Sequence, residues 1–261
     1  KVAGDVEEYL DRPQIIIHKL RPALPEEYDL RDFLPATEKD VPAMLATLRA
    51  TVERVAEPHL NALLRCFYDD EAFLARLAQA PAARRVHHAY LGGLLEHLTE
   101  VAALCDAVLA LYPQVDADLL RTGALLHDVG KVREFVWERG IDYSDEGRLV
   151  GHVVIGEEMV ARSIDSLPDF PPGLALRVRH MLVAHHGKHE YGSPRRPMTL
   201  EAIALHKIED LSGQINRFQL LLAARRAADS PWTEYDRLLG RQLYAGSDAG
   251  ELSVEEQSLE E

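Results

Sequence analysis

Thiols are scarce in this chain. Its 261 residues carry two cysteines, Cys66 and Cys105, both within helix-like apolar patterns. That excludes a disulfide framework and a structural zinc site built on several thiolates. Long apolar runs are missing too. None approaches the ~18 residues of a membrane span, and no secretory leader opens the chain, so a cytoplasmic protein without membrane association is expected. Lys1 rather than Met stands first, and upstream sequence is expected before it. No internal repeat is visible. Positive charge is also in short supply: 29 Lys and Arg face 43 Asp and Glu, a formal net charge of −14. This argues against a broad surface that coats nucleic acid. It leaves a local phosphate site open, because six of the acids follow Arg241 (Asp248, Glu251, Glu255, Glu256, Glu260 and Glu261), and carboxylates that ligate metal have their charge offset once ions bind.

What is present is enough apolar residue, 47% of the chain, for one substantial core with a small appendage. Residues 1–24 read as β: Val2 to Tyr9 and Gln14 to Leu20 flank a turn at Leu10-Asp11-Arg12-Pro13. Two strands alone are marginal in water, so they belong to a larger β unit or pack on the main domain. Residues 25–58 are read as a linker and a helix, with Asp40 as its cap, Pro42 in its first turn and an apolar stripe through Met44, Leu45, Leu48, Val52 and Val55. A helical domain is expected over 59–245. Its helices include two short ones before Pro81, a long one over 88–111, and others near 150–165, 172–186, 198–222 and 231–244, with a short-strand excursion at 136–147. The acidic residues 246–261 are expected to be disordered.

The centre of the pattern is Leu125-Leu126-His127-Asp128-Val129-Gly130-Lys131. An apolar helix ends near Gly130, a candidate C′ residue, and delivers an adjacent His and Asp. A buried carboxylate beside an imidazole is costly unless paired or bound to metal. Gly123 and Ala124 leave room for both side chains, and Lys131 places a cation at the mouth. The plainer alternative is a capped helix with a hydrogen-bonded His–Asp pair. Other histidines have plain alternatives as well. His97, with Gly93 one turn before it, suits a core hydrogen bond; His152 after Gly151 suits a helix start; His185-His186 suit carbonyls at a helix C-terminus. Taken together, imidazoles and carboxylates suit a divalent transition metal (Mn, Fe, Co or Ni) better than Mg or Ca.

The order His97, His127-Asp128, His152, His185-His186, then Glu209-Asp210 resembles that of the HD phosphohydrolase superfamily over roughly residues 85–215. Longer motifs narrow the likeness. His87-His88-Ala89-Tyr90-Leu91-Gly92-Gly93-Leu94-Leu95-Glu96-His97, Asp145 to His152, and His185-His186-Gly187-Lys188-His189-Glu190-Tyr191-Gly192-Ser193-Pro194 resemble the YhaM-type 3′-to-5′ exoribonucleases. In those an OB-fold precedes the HD domain, and Val6 to Tyr9 with Gln14 to Pro22 resemble its last strands. The implied fold is mainly α, an HD-domain helical bundle with a small N-terminal β segment as remnant of an OB-fold. One departure stands out. Where the family reads Asp-x-Leu-Asp-Ala-Lys, this chain has Glu209-Asp210-Leu211-Ser212-Gly213-Gln214, which leaves the last ligand open between Glu209 and Asp210 and raises the question of weakened activity.

The resemblance implies a metal-dependent phosphodiesterase with two ions, Mn before Fe, Co or Ni. His97, His127, Asp128 and Glu209 or Asp210 would hold one, and Asp128, His152, His185 and His186 the other, with Asp128 bridging. Two ions hold and deprotonate a water and polarise the phosphoryl oxygens. Lys131 is the candidate for contacting the scissile phosphate. Lys188, Arg195 and Arg196 form a basic cluster with Tyr191 as a stacking face, and His87 and His88 either bind substrate phosphate or cap the long helix. The expected substrate is single-stranded RNA, with single-stranded DNA beside it, and a homo-oligomer is expected. The alternatives are an HD-type hydrolase of free or cyclic nucleotides, and a nucleic-acid-binding protein with a decayed metal site.

Overall fold

The computed structural model describes residues 1–224 and 230–246. β1 (Val2–Tyr9) and β2 (Arg12–Leu20) pair antiparallel through a two-residue turn, with Leu10 and Asp11 both at positive φ, the backbone that a right-twisted hairpin favours. The second strand starts two residues earlier than the sequence pattern suggests, and Pro13 sits inside it opposite Glu8. A ribbon with no third strand tolerates the missing N–H. Every hairpin residue is exposed, including Ile15, Ile16 and Ile17.

Two 3₁₀ turns (Pro25–Glu27 and Leu30–Asp32) lead to the helical unit. α1 (Val41–Glu53) begins as the sequence predicts, with the Asp40 carboxylate accepting from the N–H of Ala43. It is no spacer: Met44, Leu48 and Val52 are buried, and it packs on α4. α2 (Pro58–Tyr68) and α3 (Glu71–Leu77) are the two short helices. α4 (Gly93–Leu111) starts five residues later than 88, because residues 85–92 wind separately and turn at Gly92.

α5 (Ala117–Leu126) is the axis. Seven of its ten residues are buried, and α1, α2, α4, α9 and α10 all pack on it. The Tyr68 hydroxyl donates to the Leu125 carbonyl at 2.9 Å, satisfying one of the acceptors a helix C-terminus leaves open. α6 (Lys131–Glu134), the two-residue strands β3 (Phe135–Val136) and β4 (Asp142–Tyr143), and α7 (Asp145–Leu149) form the expected excursion. α8 (His152–Ser166), α9 (Pro172–Ala184) and α10 (Leu200–Ala223) complete the described helices. None is long and apolar enough to cross a membrane.

Three expectations need correction. α5 stops at Leu126, and Gly130 is right-handed (φ −63°, ψ −22°), not a left-handed C′ residue. What requires glycine there is close approach, since a Cβ would stand 2.1 Å from the His152 carbonyl oxygen and 2.6 Å from the Gly156 nitrogen. The space beside Gly123 is filled by the Met181 methyl of α9 and not by the His127 and Asp128 side chains, and that beside Gly93 by the His88 carbonyl. No helix forms over 231–244. Bridges Trp232↔Tyr244 and Asp236↔Arg241 shape that segment, because the Asp236 carboxylate takes the N–H groups of Leu238 and Leu239 and Gly240 turns at φ +64°. The expected disordered tail lies, beyond Gly246, outside the described residues.

Gly130 locks the Asp128 turn against the start of α8, so Gly130→Ala is expected to cost about 1–3 kcal/mol through overpacking. Gly173→Ala in α9, where a Cβ meets nothing within 4 Å, is the control and should cost nothing. Differential scanning calorimetry of both variants checks this, and equal melting temperatures would refute the close-approach account.

Candidate metal centre

Asp128 sits at the junction between α5 and α6, buried to 1% exposure. Its two oxygens face different imidazoles. Oδ2 lies 3.6 Å from His97 Nε2 and 3.5 Å from His127 Nε2; Oδ1 lies 3.5 Å from His152 Nε2 and 3.7 Å from His185 Nε2. His97 and His127 bring their Nε2 atoms to 3.3 Å of each other, and so do His152 and His186. The ligand atoms of His97, His127 and Asp128 thus fall within 4.8 Å of one another, as do those of His152, His185 and His186. Four helices bring these groups together, α4 from its second turn, α5 and α9 from their C-terminal ends and α8 from its first residue.

The orientation of each ring has a local cause. His127 Nδ1 donates to the Ala124 carbonyl at 2.9 Å, and His185 Nδ1 to the Leu182 carbonyl at 2.6 Å. Both histidines are C-caps that use a carbonyl three residues back, freed by the end of the helix. His186 Nδ1 donates to Tyr191 O at 2.9 Å. His152 Nδ1 donates to Glu134 Oε1 at 3.0 Å, and the same oxygen takes the His152 backbone N–H at 2.9 Å. With hydrogen on Nδ1, His127, His152 and His185 turn a lone pair on Nε2 toward Asp128, and His186 turns its own toward His152 Nε2. Carbonyl binding by Nδ1 of His185 and His186 therefore leaves Nε2 of each available to an ion.

Electrostatics keeps the rings in ligand form. Burial holds His97 and His185 well below the ordinary imidazole value, lowers His127, and brings His186 to about 4. Burial alone would raise Asp128, but the charges around it, the Lys131 ammonium first among them, outweigh burial together, and the carboxyl stays far below its usual range. Lys131 is not at the mouth. It is buried, three residues on, with Nζ 2.6 Å from Asp128 Oδ2. This ion pair is poorly aligned as a hydrogen bond, and both Asp128 oxygens and His185 Nε2 lack a hydrogen-bond partner among the described residues. A buried carboxylate with free lone pairs, ringed by imidazole lone pairs, fits divalent cations of the nitrogen-and-oxygen-binding class.

The acids of α10 separate. Glu209 faces the centre: burial and the charge of Asp128 push it up to about 8, with Lys131 acting the other way. It does not fall within the tight His97–His127–Asp128 group. Asp210 instead accepts from the Gln214 amide at 2.9 Å on the exposed side. Ser212 Oγ lies 3.3 Å from His97 Nδ1 and donates to Glu100 at 3.1 Å, so the departure at 212 is built into the site.

The remaining expected residues divide. His88 is fully buried; its N–H donates to Asn216 Oδ1 and its ring lies against Glu100, so it neither caps α4 nor meets solvent. His87 is partly buried beside Gly213, and burial together with Lys131 lowers it to about 3. Lys188, Tyr191 and Arg196 line a groove of about 570 Å³ with Gly187, His206 and Lys207. Lys188 Nζ lies 5.3 Å from the centre of the exposed Tyr191 ring. Arg195 is outside that lining. Sequence reasoning missed Glu134, Glu100, Asn216 and Lys207. Glu100 carried a signal, standing three residues from His97 on the same helix face. Glu134 carried none, because its partner lies 18 residues on.

The family model described as HD domain matches residues 94–213. The chain is 32% identical over 235 residues to the 3′-5′ exoribonuclease YhaM of Bacillus subtilis (strain 168), covering 90% of this chain and 73% of that protein. It is 33% identical over 217 residues to the protein of that name from Bacillus pumilus (strain SAFR-032), with 83% and 68% covered. With the one from Shouchella clausii (strain KSM-K16) the identity is 33% over 218 residues, with 82% and 67% covered. No solved structure matches the chain.

Glu134→Ala strands two donors of His152 and is expected to cost about 1–3 kcal/mol. Glu134→Gln, whose amide oxygen still accepts, should lose less. Urea unfolding followed by circular dichroism measures both, and an alanine variant as stable as the parent would show that Glu134 does not hold His152.

Proposed function

The chain belongs to the YhaM 3′-5′ exoribonuclease family, and we propose that it is a metal-dependent phosphodiesterase that shortens single-stranded RNA from the 3′ end. The observation that carries the reading is the division of Asp128, with one oxygen toward His97 and His127 and the other toward His152 and His185. Under this reading His97, His127, Asp128 and Glu209 hold one divalent ion, and Asp128, His152, His185 and His186 hold a second. Glu209 is preferred to Asp210 because Asp210 is engaged with Gln214 away from the centre. Mn²⁺ is the expected ion, with Fe, Co or Ni compatible with the same donors. When bound, such ions supply Lewis-acid polarisation of a phosphoryl oxygen and a hydroxide nucleophile near neutral pH.

The protein's own groups do the rest. The Nδ1 anchors of four rings fix where the Nε2 lone pairs converge, so little reorganisation accompanies reaction. Lys131, buried beside Asp128, is the cation nearest to where a scissile phosphate would lie. The groove at 187–207 continues outward from His186, whose Nδ1 is bonded to Tyr191. There Lys188, Arg196 and Lys207 would meet backbone phosphates, with Arg195 beside them, and Tyr191 would stack on a base. His87 would line the inner end, with His88 behind it. Single-stranded DNA offers the same phosphates and stacking faces and is a second substrate. The exposed hairpin at 1–24 is assigned to an OB-type unit that adds affinity for a polymer.

The test pairs substrate choice with one substitution. A 5′-labelled oligoribonucleotide with Mn²⁺ should shorten from its 3′ end with release of mononucleotides, while free and cyclic nucleotides turn over far more slowly. Asp128→Asn should lower oligonucleotide turnover by roughly 10³-fold or more and reduce bound metal. Faster turnover of free nucleotides, or a folded Asp128→Asn protein with near-normal activity, would overturn the proposal.

A further inference from the structure

Four of the five ring anchors at the centre are acceptors only. The carbonyls of Ala124, Leu182 and Tyr191 and the carboxylate of Glu134 can take a hydrogen from Nδ1 and cannot give one. His97 is different, because its Nδ1 partner is the Ser212 hydroxyl at 3.3 Å. A hydroxyl both donates and accepts, so Ser212 alone leaves the tautomer of His97 undecided. If Ser212 donated to Nδ1, the hydrogen of His97 would sit on Nε2, the atom 3.3 Å from His127 Nε2 and 3.6 Å from Asp128 Oδ2, and no lone pair would face an ion.

The ambiguity is removed one residue further out. Ser212 Oγ lies 3.1 Å from Glu100 Oε2. Serine has one hydroxyl hydrogen, and an ionised carboxylate accepts only, so that hydrogen goes to Glu100 and the oxygen is left to accept from His97. Glu100 is kept ionised. Burial acts to raise it, but His88 and Lys39 outweigh burial and hold it at about 2. Lys39 Nζ lies 2.9 Å from Glu100 Oε1 and 2.9 Å from Glu96 Oε1, and Thr37 donates to Glu96 Oε2 at 2.6 Å. His88, Glu96 and Glu100 have the spacing of a cation site themselves, yet the Lys39 ammonium already stands between the two carboxylates. The cluster is therefore a brace, and it reaches from the segment before α1 to the metal centre.

We propose that Glu100, acting through the Ser212 hydroxyl, is a positioning residue that fixes His97 with its hydrogen on Nδ1 and its Nε2 lone pair toward the metal; this deepens the functional reading above and rests on it. Serine at 212 then works with the carboxylate displaced to α4. An aspartate at 212 would accept from Nδ1 directly and make Glu100 dispensable.

Two readouts test this on the full chain. In metal-free protein labelled with ¹⁵N and ¹³C at histidine, long-range nitrogen–proton correlations report which ring nitrogen of His97 carries hydrogen. The parent should show Nδ1–H. Ser212→Ala and Glu100→Ala should each populate Nε2–H, and adding Ser212→Asp to Glu100→Ala should restore Nδ1–H. In Mn²⁺ titrations, Ser212→Ala should weaken one of two binding events by roughly 10–100-fold and leave the other unchanged. A His97 that stays Nδ1–H in both alanine variants overturns the relay, whatever the metal result. A parent that binds no Mn²⁺ overturns the functional reading, while the tautomer comparison still decides whether Glu100 governs His97.

Discussion

The centre depends on the burial of one negative charge. Asp128 is enclosed by apolar helices, and an isolated carboxylate there would neutralise itself rather than stay charged. Lys131 supplies one compensating charge from the next turn of chain. Its partner oxygen and the opposite one still face imidazole nitrogens instead of hydrogen-bond donors. Everything else follows from keeping that carboxylate ionised and those nitrogens bare. α5 must end where it does, the α6 turn must pass close under α8, and each histidine needs an acceptor on its far side. The end of a helix is the cheapest place to find one, because its last carbonyls have no partner within the helix. His127 and His185 solve the problem in the same way on two different helices.

Much of this was legible in the sequence, for identifiable reasons. The stripe of Met44, Leu48 and Val52 reads directly as a helix face because its period is that of an α-helix, and the Asp40 cap with Pro42 fixes where the helix starts. The clustered histidines were legible as a set only because their order along the chain matched a known pattern; singly, each had a structural explanation, and His185 and His186 do bind carbonyls through Nδ1. The resemblance to HD-domain exoribonucleases agrees with the family match and the relatives, and the mainly helical fold with its β hairpin agrees as well.

What stayed hidden depends on contacts remote in sequence. Gly130 looked like the end of a helix because glycine is common there, but the pressure for glycine comes from the backbone of residues 152 and 156. Lys131 looked like a cation at an entrance because it follows a turn, and the packing of distant segments over that turn, α8 among them, encloses it. The stretch after Pro231 has helix-like apolar spacing, yet the Asp236 side chain satisfies the backbone donors of Leu238 and Leu239 and diverts the chain into a turn. Ser212 read as a loss because a motif records residue types at fixed positions and cannot show that a carboxylate on the facing helix reaches the serine.

The seating of Met181 against Gly123 bears on how the protein meets oxidants. The Met181 thioether is fully buried in the core under the metal centre, whereas Met198, in the approach to α10, is 74% exposed. Oxidation to the sulfoxide makes a methionine polar and requires access to sulfur. Met198 is therefore modified in the native state at the rate of a free side chain, while Met181 is modified only as fast as the helices around α5 part. Two sulfurs in one chain thus form an internal clock pair, one timing the reagent and the other timing the opening of the core.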